Sequence, residues 1–266
     1  MKITRKALFY LAVILLFNLD NIALADKPDA LKKDKFYLFL LVGQSNMAGR
    51  GKVQAQDKVP VDRVLSLNKA GKWVPAIDPI HFDKSIAGVG LGRTFGILAA
   101  KRYPGITIGL IPCACGGSAI SQWTPGAYHK QTRSKPYDDA VKRAKLAMKD
   151  GVLKGILWHQ GEGDCRPERA AVYEKNLTEL IARFRKELKA PDVPFVIGQL
   201  GKFKTWNSAR KAVNLAQKDV AAKVKNTAFV KADGLTSNPD KVHFNSASQR
   251  EFGKRYFEAY LKLVTP

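Results

Sequence analysis

Cysteine is scarce in this sequence. Three cysteines in 266 residues exclude a disulfide-stapled miniprotein, because that class packs several cysteine pairs into a short chain. The 21 glycines and 13 prolines are too few for a collagen-like or low-complexity chain. Hydrophobic residues make up 45% of the sequence, which is an ordinary globular composition. A chain of this length can bury a sizeable core as one large domain or two small ones.

Acidic residues are scarce relative to basic ones. The 23 Asp and Glu residues against 45 Lys and Arg give a formal net charge of +22, which suits a polyanionic partner such as nucleic acid, anionic lipid or acidic polysaccharide. The basic residues are spread along the chain, without an Arg-rich run or the signature of an RNA-binding module. We therefore expect a solvated basic surface and no nucleic-acid partner. An exported basic nucleic-acid binder is the alternative from another class.

Long apolar runs are absent apart from one near the N-terminus. The run at residues 7–19 follows three basic residues and precedes a small-x-small tripeptide that ends at Ala25. This order is typical of a secretory signal peptide, and the run is shorter than the roughly 20 residues of a membrane-spanning helix. We predict residues 1–25 to be a signal peptide and residues 26–266 to be one domain, exported to the periplasm or the medium without a stable membrane anchor. A retained anchor is the alternative.

Export would place the three cysteines in an oxidising compartment, where disulfides persist. Cys113 and Cys115 are separated by one residue, a spacing that does not favour a bond between them. We expect Cys165 to pair with one of the two, Cys113 being favoured, which leaves one free thiol. Three cysteines without a C-x-x-C spacing do not favour a closed zinc site.

Short apolar runs alternate with helical stretches along the rest of the chain. The first run, FYLFLLV, is continuously apolar, which predicts a strand buried on both faces. Five strands are predicted, at residues 36–42, 107–111, 155–159, 194–199 and 227–230. Five helices are predicted, at residues 92–102, 137–149, 168–188, 209–224 and 246–263. This alternation predicts one doubly wound α/β domain with a five-stranded parallel sheet. Residues 51–91 are predicted to form a long loop over one edge.

Polar clusters follow several of the predicted strands. They lie at residues 43–49, 112–118 and 160–164, and a further cluster at residues 240–243 precedes the last helix. In open α/β sheets, ligands bind outside the carboxyl ends of the strands. We therefore expect these four clusters to meet at one rim of the sheet.

The rim contains residues of the kinds that a serine hydrolase uses as nucleophile, base and acid. Ser45 lies in a turn flanked by glycines, and Asp240 precedes His243 by three residues. That spacing allows the carboxylate to fold back onto the imidazole and fix its tautomer. The structural alternatives are that Ser45 is only a turn residue and that His243 is a surface or capping residue.

Candidate oxyanion donors are also present at the rim. Gly116 or Gly117 could offer a backbone N–H group, and the side-chain amide of Gln160 could offer a second donor. The glycines could instead only permit a tight turn, and Gln160 could be a buried amide that satisfies loop backbone. Glu162 could be a structural carboxylate or could replace Asp240 as the acid.

Four segments carry a resemblance to a known family. They are GQSNMAGRG at 43–51, GGSAISQW at 116–123, WHQGEGD at 158–164 and DKVHF at 240–244. In this order they resemble the blocks of the sialate O-acetylesterase-like carbohydrate esterases, the carbohydrate esterase family 6 group of the SGNH hydrolase superfamily. The resemblance runs from about residue 36 to 262. It implies a flavodoxin-like three-layer α/β/α fold, no metal or other cofactor, and hydrolysis of an acetyl ester on a sugar.

The resemblance also implies a role for each matching residue. The nucleophile, base and acid partner are matched by Ser45, His243 and Asp240. The oxyanion hole is matched by the N–H groups of Ser45 and Gly117 and by the amide of Gln160, with Gly116 as the alternative glycine. Glu162 matches the glutamate of the family's HQGE block and is a candidate supporting residue.

These observations together predict an exported serine esterase whose partner is an acetylated carbohydrate. It would remove O-acetyl groups from acetylxylan or a related plant or acidic glycan through an acetyl-enzyme intermediate. The alternatives are a sialate O-acetylesterase, another acyl esterase, or a non-catalytic glycan-binding module that kept the fold. The intact set of Ser45, Asp240 and His243 argues against the binding module.

Overall fold

A single seven-stranded sheet organises the chain. The computed structural model describes residues 32–203 and 207–265. The strands are β1 Phe36–Gly43, β2 Val64–Leu67, β3 Trp73–Pro75, β4 Thr107–Pro112, β5 Val152–His159, β6 Phe195–Gly198 and β7 Thr227–Val230. Their spatial order is β3-β2-β4-β1-β5-β6-β7. All neighbours pair in parallel except β2 and β3.

Seven α-helices accompany the sheet in the described residues. They are α1 Ser45–Ala48, α2 Leu91–Arg102, α3 Pro136–Ala147, α4 Pro167–Ala170, α5 Tyr173–Glu187, α6 Ser208–Lys223 and α7 Ser246–Val264. Residues of α2 and α7 pack in one apolar cluster, and residues of α3, α5 and α6 pack in another. The sheet lies between the two clusters, so the predicted three-layer α/β/α class is confirmed.

The central strand β1 explains why the sheet must be covered on both sides. Leu38, Leu40 and Val42 belong to one cluster, whereas Phe39 and Leu41 belong to the other, and all five are fully buried. Side chains alternate between the two faces of a strand. The continuous apolar run of β1 is therefore what a strand with helices on both faces requires.

The sheet has two strands more than the five predicted. Both lie within residues 51–91, where a long loop was expected. Strand β2 adds to β4 in parallel, and β3 folds back on β2 as an antiparallel edge strand. They were missed because each is only three or four residues long, and Pro75 in β3 argues against a central strand while remaining compatible with an edge.

The predicted signal peptide at residues 1–25 lies outside the described residues. Within residues 32–203 and 207–265, no helix combines the length and the apolar character needed to cross a membrane.

The topology brings three carboxyl ends of strands together at one rim. Strand β1 lies between β4 and β5, and Gly43 at its end is the register partner of His159 at the end of β5. The strand order reverses here, because β2 and β4 lie on one side of β1 while β5, β6 and β7 lie on the other. Such a switch point is where ligands bind in sheets of this kind.

Candidate active site

Ser45 is the first residue of α1, directly after the switch point. Gly43 has φ +133°, and a Cβ atom there would lie 2.1 Å from the carbonyl oxygen of His159. Only glycine therefore fits this turn without a rearrangement. The Gln44 N–H donates to the same His159 carbonyl at 2.9 Å, which anchors the turn to β5. Ser45 itself is 7% exposed.

His243 reaches Ser45 from the loop before α7. The two atoms Ser45 Oγ and His243 Nε2 are 2.9 Å apart. Asn245 caps α7, because its side chain accepts the N–H of Ser248. The cap fixes where the loop ends and the helix begins, two residues after the imidazole.

Asp240 completes the hydrogen-bonded set as predicted from its spacing. Its Oδ2 lies 2.7 Å from His243 Nδ1, and its Oδ1 accepts the N–H groups of Val242 and His243 at 2.8 and 2.9 Å. Partial burial acts to raise the pKa of Asp240, but these hydrogen bonds outweigh burial and lower it. An ionised Asp240 holds the proton on Nδ1, so Nε2 is left with a lone pair that can accept the Ser45 proton.

Two backbone N–H groups at the rim, those of Ser45 and Gly117, are free to donate. As the first residue of a helix, Ser45 has no intrahelical acceptor for its N–H, and neither it nor the Gly117 N–H donates to another residue in the described ranges. Gly117 has φ +91° and is exposed. The Gly116 N–H, in contrast, donates to Asp83 Oδ2 at 2.9 Å. The glycine donor favoured by the geometry is therefore Gly117.

Gln160 does not have the environment expected of an oxyanion donor. It is fully buried, and its Nε2 lies 2.6 Å from Asp164 Oδ2, 3.0 Å from the Ser118 carbonyl and 3.2 Å from Gln44 Oε1. Three internal acceptors already surround a group with two protons. In this structure the Gln160 amide therefore ties the loops after β1, β4 and β5 together, and its role as an oxyanion donor stays a prediction.

Glu162 supports the site without contacting the imidazole. Its Oε1 accepts from Asn46 Nδ2 at 2.5 Å. The Asn46 side chain also accepts the Phe244 N–H at 3.0 Å and donates to the Val242 carbonyl at 3.3 Å. Asp240, not Glu162, is therefore the carboxylate on His243. Asn46 was missed by the sequence argument, although its position next to Ser45 is a signal that could have found it.

A buried ion pair supports the glycine turn and was also missed. Arg50 Nη2 lies 2.8 Å from Asp83 Oδ2, and the two side chains are 5% and 1% exposed. The same oxygen accepts the Gly116 N–H, so this pair fixes the backbone just before Gly117. Thirty-three residues separate the partners along the chain, and no local pattern marks them.

The expected disulfide is not formed, since all three cysteines are free thiols. Cys165 Sγ lies 3.2 Å from the Gly161 carbonyl, and Cys115 Sγ lies 3.1 Å from His129 Nδ1 and 2.9 Å from Thr132 Oγ1. The thiols therefore belong to separate local hydrogen-bonding groups. Burial raises the pKa of Cys113 and of Cys165 to about 12, so both are protonated near neutral pH.

No group of three or more His, Cys, Asp or Glu side chains in the described ranges is arranged to hold a metal ion. The groups that the rim does bring together are a serine hydroxyl, an imidazole and a carboxylate, with backbone N–H groups nearby. This set suits acyl transfer through a serine nucleophile.

Comparison with known proteins also indicates an esterase. Residues 35–262 match the family model described as "Carbohydrate esterase, sialic acid-specific acetylesterase". An Arabidopsis thaliana protein named "Probable carbohydrate esterase" is 30% identical over 245 residues, which cover 84% of this chain and 90% of that protein. Its X-ray structure superposes with a TM-score of 0.76, covering 86% of this chain and 98% of that one, at 30% identity.

Two further relatives are more distant. A "Probable 9-O-acetyl-N-acetylneuraminic acid deacetylase" of Escherichia coli K12 is 22% identical over 204 residues, covering 60% of this chain and 63% of that protein. The structure of a carbohydrate acetylesterase from Xanthomonas citri has a TM-score of 0.67 at 20% identity, covering 86% of this chain and 56% of that one, and shows the shared fold. The family model spans most of the sequence and includes every rim segment. This chain therefore belongs to the family of sialic acid-specific acetylesterase-type carbohydrate esterases.

Proposed function

We propose that this protein is an exported serine esterase that removes O-acetyl groups from a carbohydrate through an acetyl-enzyme intermediate. The observation that carries the proposal is the continuous hydrogen-bonded series from Asp240 through His243 to Ser45. Such a series activates a serine hydroxyl by giving its proton an acceptor of fixed tautomer.

The proposed reaction has two halves. Ser45 Oγ attacks the acetyl carbonyl carbon while its proton passes to His243 Nε2, and the N–H groups of Ser45 and Gly117 stabilise the oxyanion. The bond between the carbonyl carbon and the sugar oxygen then breaks, and the His243 proton goes to that oxygen. His243 then takes a proton from water as the water attacks the acetyl-enzyme, and it passes this proton to Ser45 Oγ as the bond to the acetyl group breaks, which releases acetic acid and the free serine.

The identity of the acetylated carbohydrate is proposed from the charge of the protein and from its family. Acetylxylan, acetylated pectin and acetylated sialic acid are the candidate substrates, and the net charge of +22 favours those that carry carboxylates. The proposed export rests on the order of basic residues, apolar run and small residues before Asp26. N-terminal sequencing of the secreted protein should begin at Asp26, and a start at Met1 in a membrane fraction would refute cleavage.

The direct test is acetate release from those three substrates by the protein and by its Ser45→Ala variant. We expect release that depends on Ser45, and the preferred substrate identifies the sugar. Equal release by the two proteins would refute the serine mechanism. Absence of release from every substrate, together with retained glycan binding, would favour a binding module.

A further inference from the structure

A large groove lies beside the candidate active site, and neither Ser45, Asp240 nor His243 lines it. We call it the basic groove. Its walls are the turn between β2 and β3, residues 81–83, the end of β4, residues 132–134, α3 and the end of α5. Its volume of about 1480 Å³ exceeds the roughly 300–1,000 Å³ of a site for one small ligand. The groove therefore has room for several units of a polymer.

The lining of the basic groove carries more positive than negative groups. The eight cationic residues are Lys69, Arg133, Lys142, Arg143, Lys145, Lys149, Arg183 and Lys186, and the four carboxylates are Asp83, Asp138, Asp139 and Glu187. The two sets also differ in how many of their members already form ion pairs or hydrogen bonds within the protein.

Each of the four carboxylates already has a partner. Asp83 pairs with Arg50, and Glu187 pairs with Lys145. Asp138 and Asp139 accept backbone N–H groups at 3.0 and 2.9 Å. Two of the four negative charges are therefore neutralised by ion pairs within the protein, and the lining as a whole keeps more cations than carboxylates.

Most of the cations, by contrast, remain unpaired. Five exposed ones form no ion pair with any residue in the described ranges, namely Lys69, Arg133, Lys142, Lys149 and Lys186. Arg143 is held in place, since its Nη2 donates to the Leu67 and Asn68 carbonyls at 2.6 and 3.1 Å. Its guanidinium lies 4.8 Å from the centre of the Phe82 ring, which is 38% exposed.

The groove ends two residues from the candidate oxyanion donor Gly117, at Cys115. Its lining includes Cys115 and Asp83, and Asp83 holds the N–H of the next residue, Gly116. Lys84 Nζ and Gln131 Oε1 bridge the neighbouring loops at 2.7 Å, and a Cβ on Gly117 would lie 2.9 Å from that same Gln131 oxygen. A polymer in the groove would thus extend toward the site where the ester is cleaved.

We propose that the basic groove binds a carboxylate-bearing polysaccharide, a chain of uronic acids, on which the acetylated sugar is one unit. This inference rests on the proposed esterase function. Spaced lysines suit the spaced carboxylates of a uronate chain, and Phe82, which is 38% exposed in the lining of the groove, supplies an aromatic ring against which a sugar can pack. The continuity with an esterase site favours a glycan over nucleic acid, which also binds cationic grooves.

The binding test uses the Ser45→Ala protein, so that the probe is not altered, with de-esterified polygalacturonate as the probe. The groove variant adds Lys142→Ala, Lys149→Ala and Lys186→Ala to this protein. The matched control adds Lys211→Ala, Lys218→Ala and Lys254→Ala, three exposed lysines outside the groove lining.

We expect Kd for polygalacturonate to rise about tenfold in the groove variant, because each lost exposed pair contributes modestly. We expect the control to change Kd by less than about twofold and to keep the parent's salt dependence, whereas the slope of log Kd against log salt becomes shallower in the groove variant. Equal weakening in both variants would attribute binding to overall charge and overturn the inference. Tighter binding of a single-stranded DNA oligonucleotide, lost in the groove variant, would overturn it in favour of nucleic acid.

An activity measurement in the Ser45 protein separates this inference from the proposed function. The ratio of kcat/KM for acetylated polygalacturonate to kcat/KM for 4-nitrophenyl acetate should fall about tenfold with the three groove substitutions. The control substitutions should leave the ratio within about twofold. An unchanged ratio with active enzyme overturns the groove and leaves the esterase intact. Inactivity on both esters overturns the esterase, and groove binding is then judged on Kd alone.

Discussion

Replacing Asp240 with Asn should abolish most activity while leaving the fold intact. An Asn carbonyl oxygen in the position of Oδ1 would still accept the N–H groups of Val242 and His243. Its amide nitrogen would then face His243 Nδ1, where Oδ2 now lies at 2.7 Å. An amide donates where a carboxylate accepts, so Nδ1 would become an acceptor and the proton would move to Nε2. Ser45 would lose its proton acceptor.

The expected loss follows from that change of tautomer. The corresponding Asp-to-Asn change in a serine protease triad lowers kcat about 10⁴-fold. The Asp240 side chain is 46% exposed, so water can partly compete for the imidazole, and we expect about 10³-fold, or roughly 4 kcal/mol in the barrier. Asp240→Ala supplies no competing donor, so its loss should be smaller, although it also removes the acceptor of two backbone N–H groups.

The assay is steady-state hydrolysis of 4-nitrophenyl acetate at neutral pH, with circular dichroism to confirm folding. Asp233→Asn is the matched control, because Asp233 is a similarly exposed carboxylate that pairs with Lys202 instead of a histidine. The control should keep wild-type kcat. If a folded Asp240→Asn protein kept more than about a third of wild-type kcat, the role given to Asp240 would be refuted.

Three further predictions concern stability and the glycine donor. Burial raises the pKa of Asp78 to about 7. Between about pH 4 and 7, therefore, the unfolded chain has released a proton that the folded protein keeps. As the pH rises through this range, the free energy of unfolding falls by up to roughly 4 kcal/mol. Asp78→Asn should therefore raise Tm relative to wild type more at pH 8 than at pH 5, and an equal difference at both would contradict this. Gly117→Ala should lower kcat. The control Gly126→Ala, at a similar φ of +78° with no atom within 4 Å of its added Cβ, should cost only about 1 kcal/mol of stability and keep kcat. Equal kcat losses in the two variants would disprove the donor role of Gly117. Phe95→Ala, at a fully buried position among other aromatic rings, should cost about 3–5 kcal/mol in chemical denaturation, and a loss under 1 kcal/mol would contradict its place in the core.

Some of the site could be predicted because its partners are close in sequence or follow a strand directly. Asp240 and His243 are three residues apart, and their hydrogen bond needs only a local turn. Ser45 comes immediately after the apolar strand β1, and the end of a parallel strand is a predictable place for a ligand-binding residue. The distance between Ser45 and His243, however, depends on α7 packing beside α2, which no local pattern records.

Other features could not be predicted because they depend on which of several possible partners the folded loops bring into contact. Gln160 is a polar residue after a strand, like Ser45, yet Asp164, Ser118 and Gln44 together take up its amide. Cys165 was expected to find a cysteine and instead contacts a neighbouring carbonyl. Composition and spacing cannot rank such partners, because the choice depends on which atoms the assembled loops bring within hydrogen-bond distance.

The sequence alone determined the alternation of strands and helices, the buried character of β1 and the local pair of Asp240 and His243. These follow from periodicity and short spacing, which are properties of a chain segment by itself. Only the tertiary structure decided the edge hairpin of β2 and β3, the burial of Gln160 and the gathering of unpaired lysines around one groove. The hairpin is itself local, but it becomes part of the sheet only by pairing with β4, and the other two features likewise depend on contacts that exist only once the sheet has assembled.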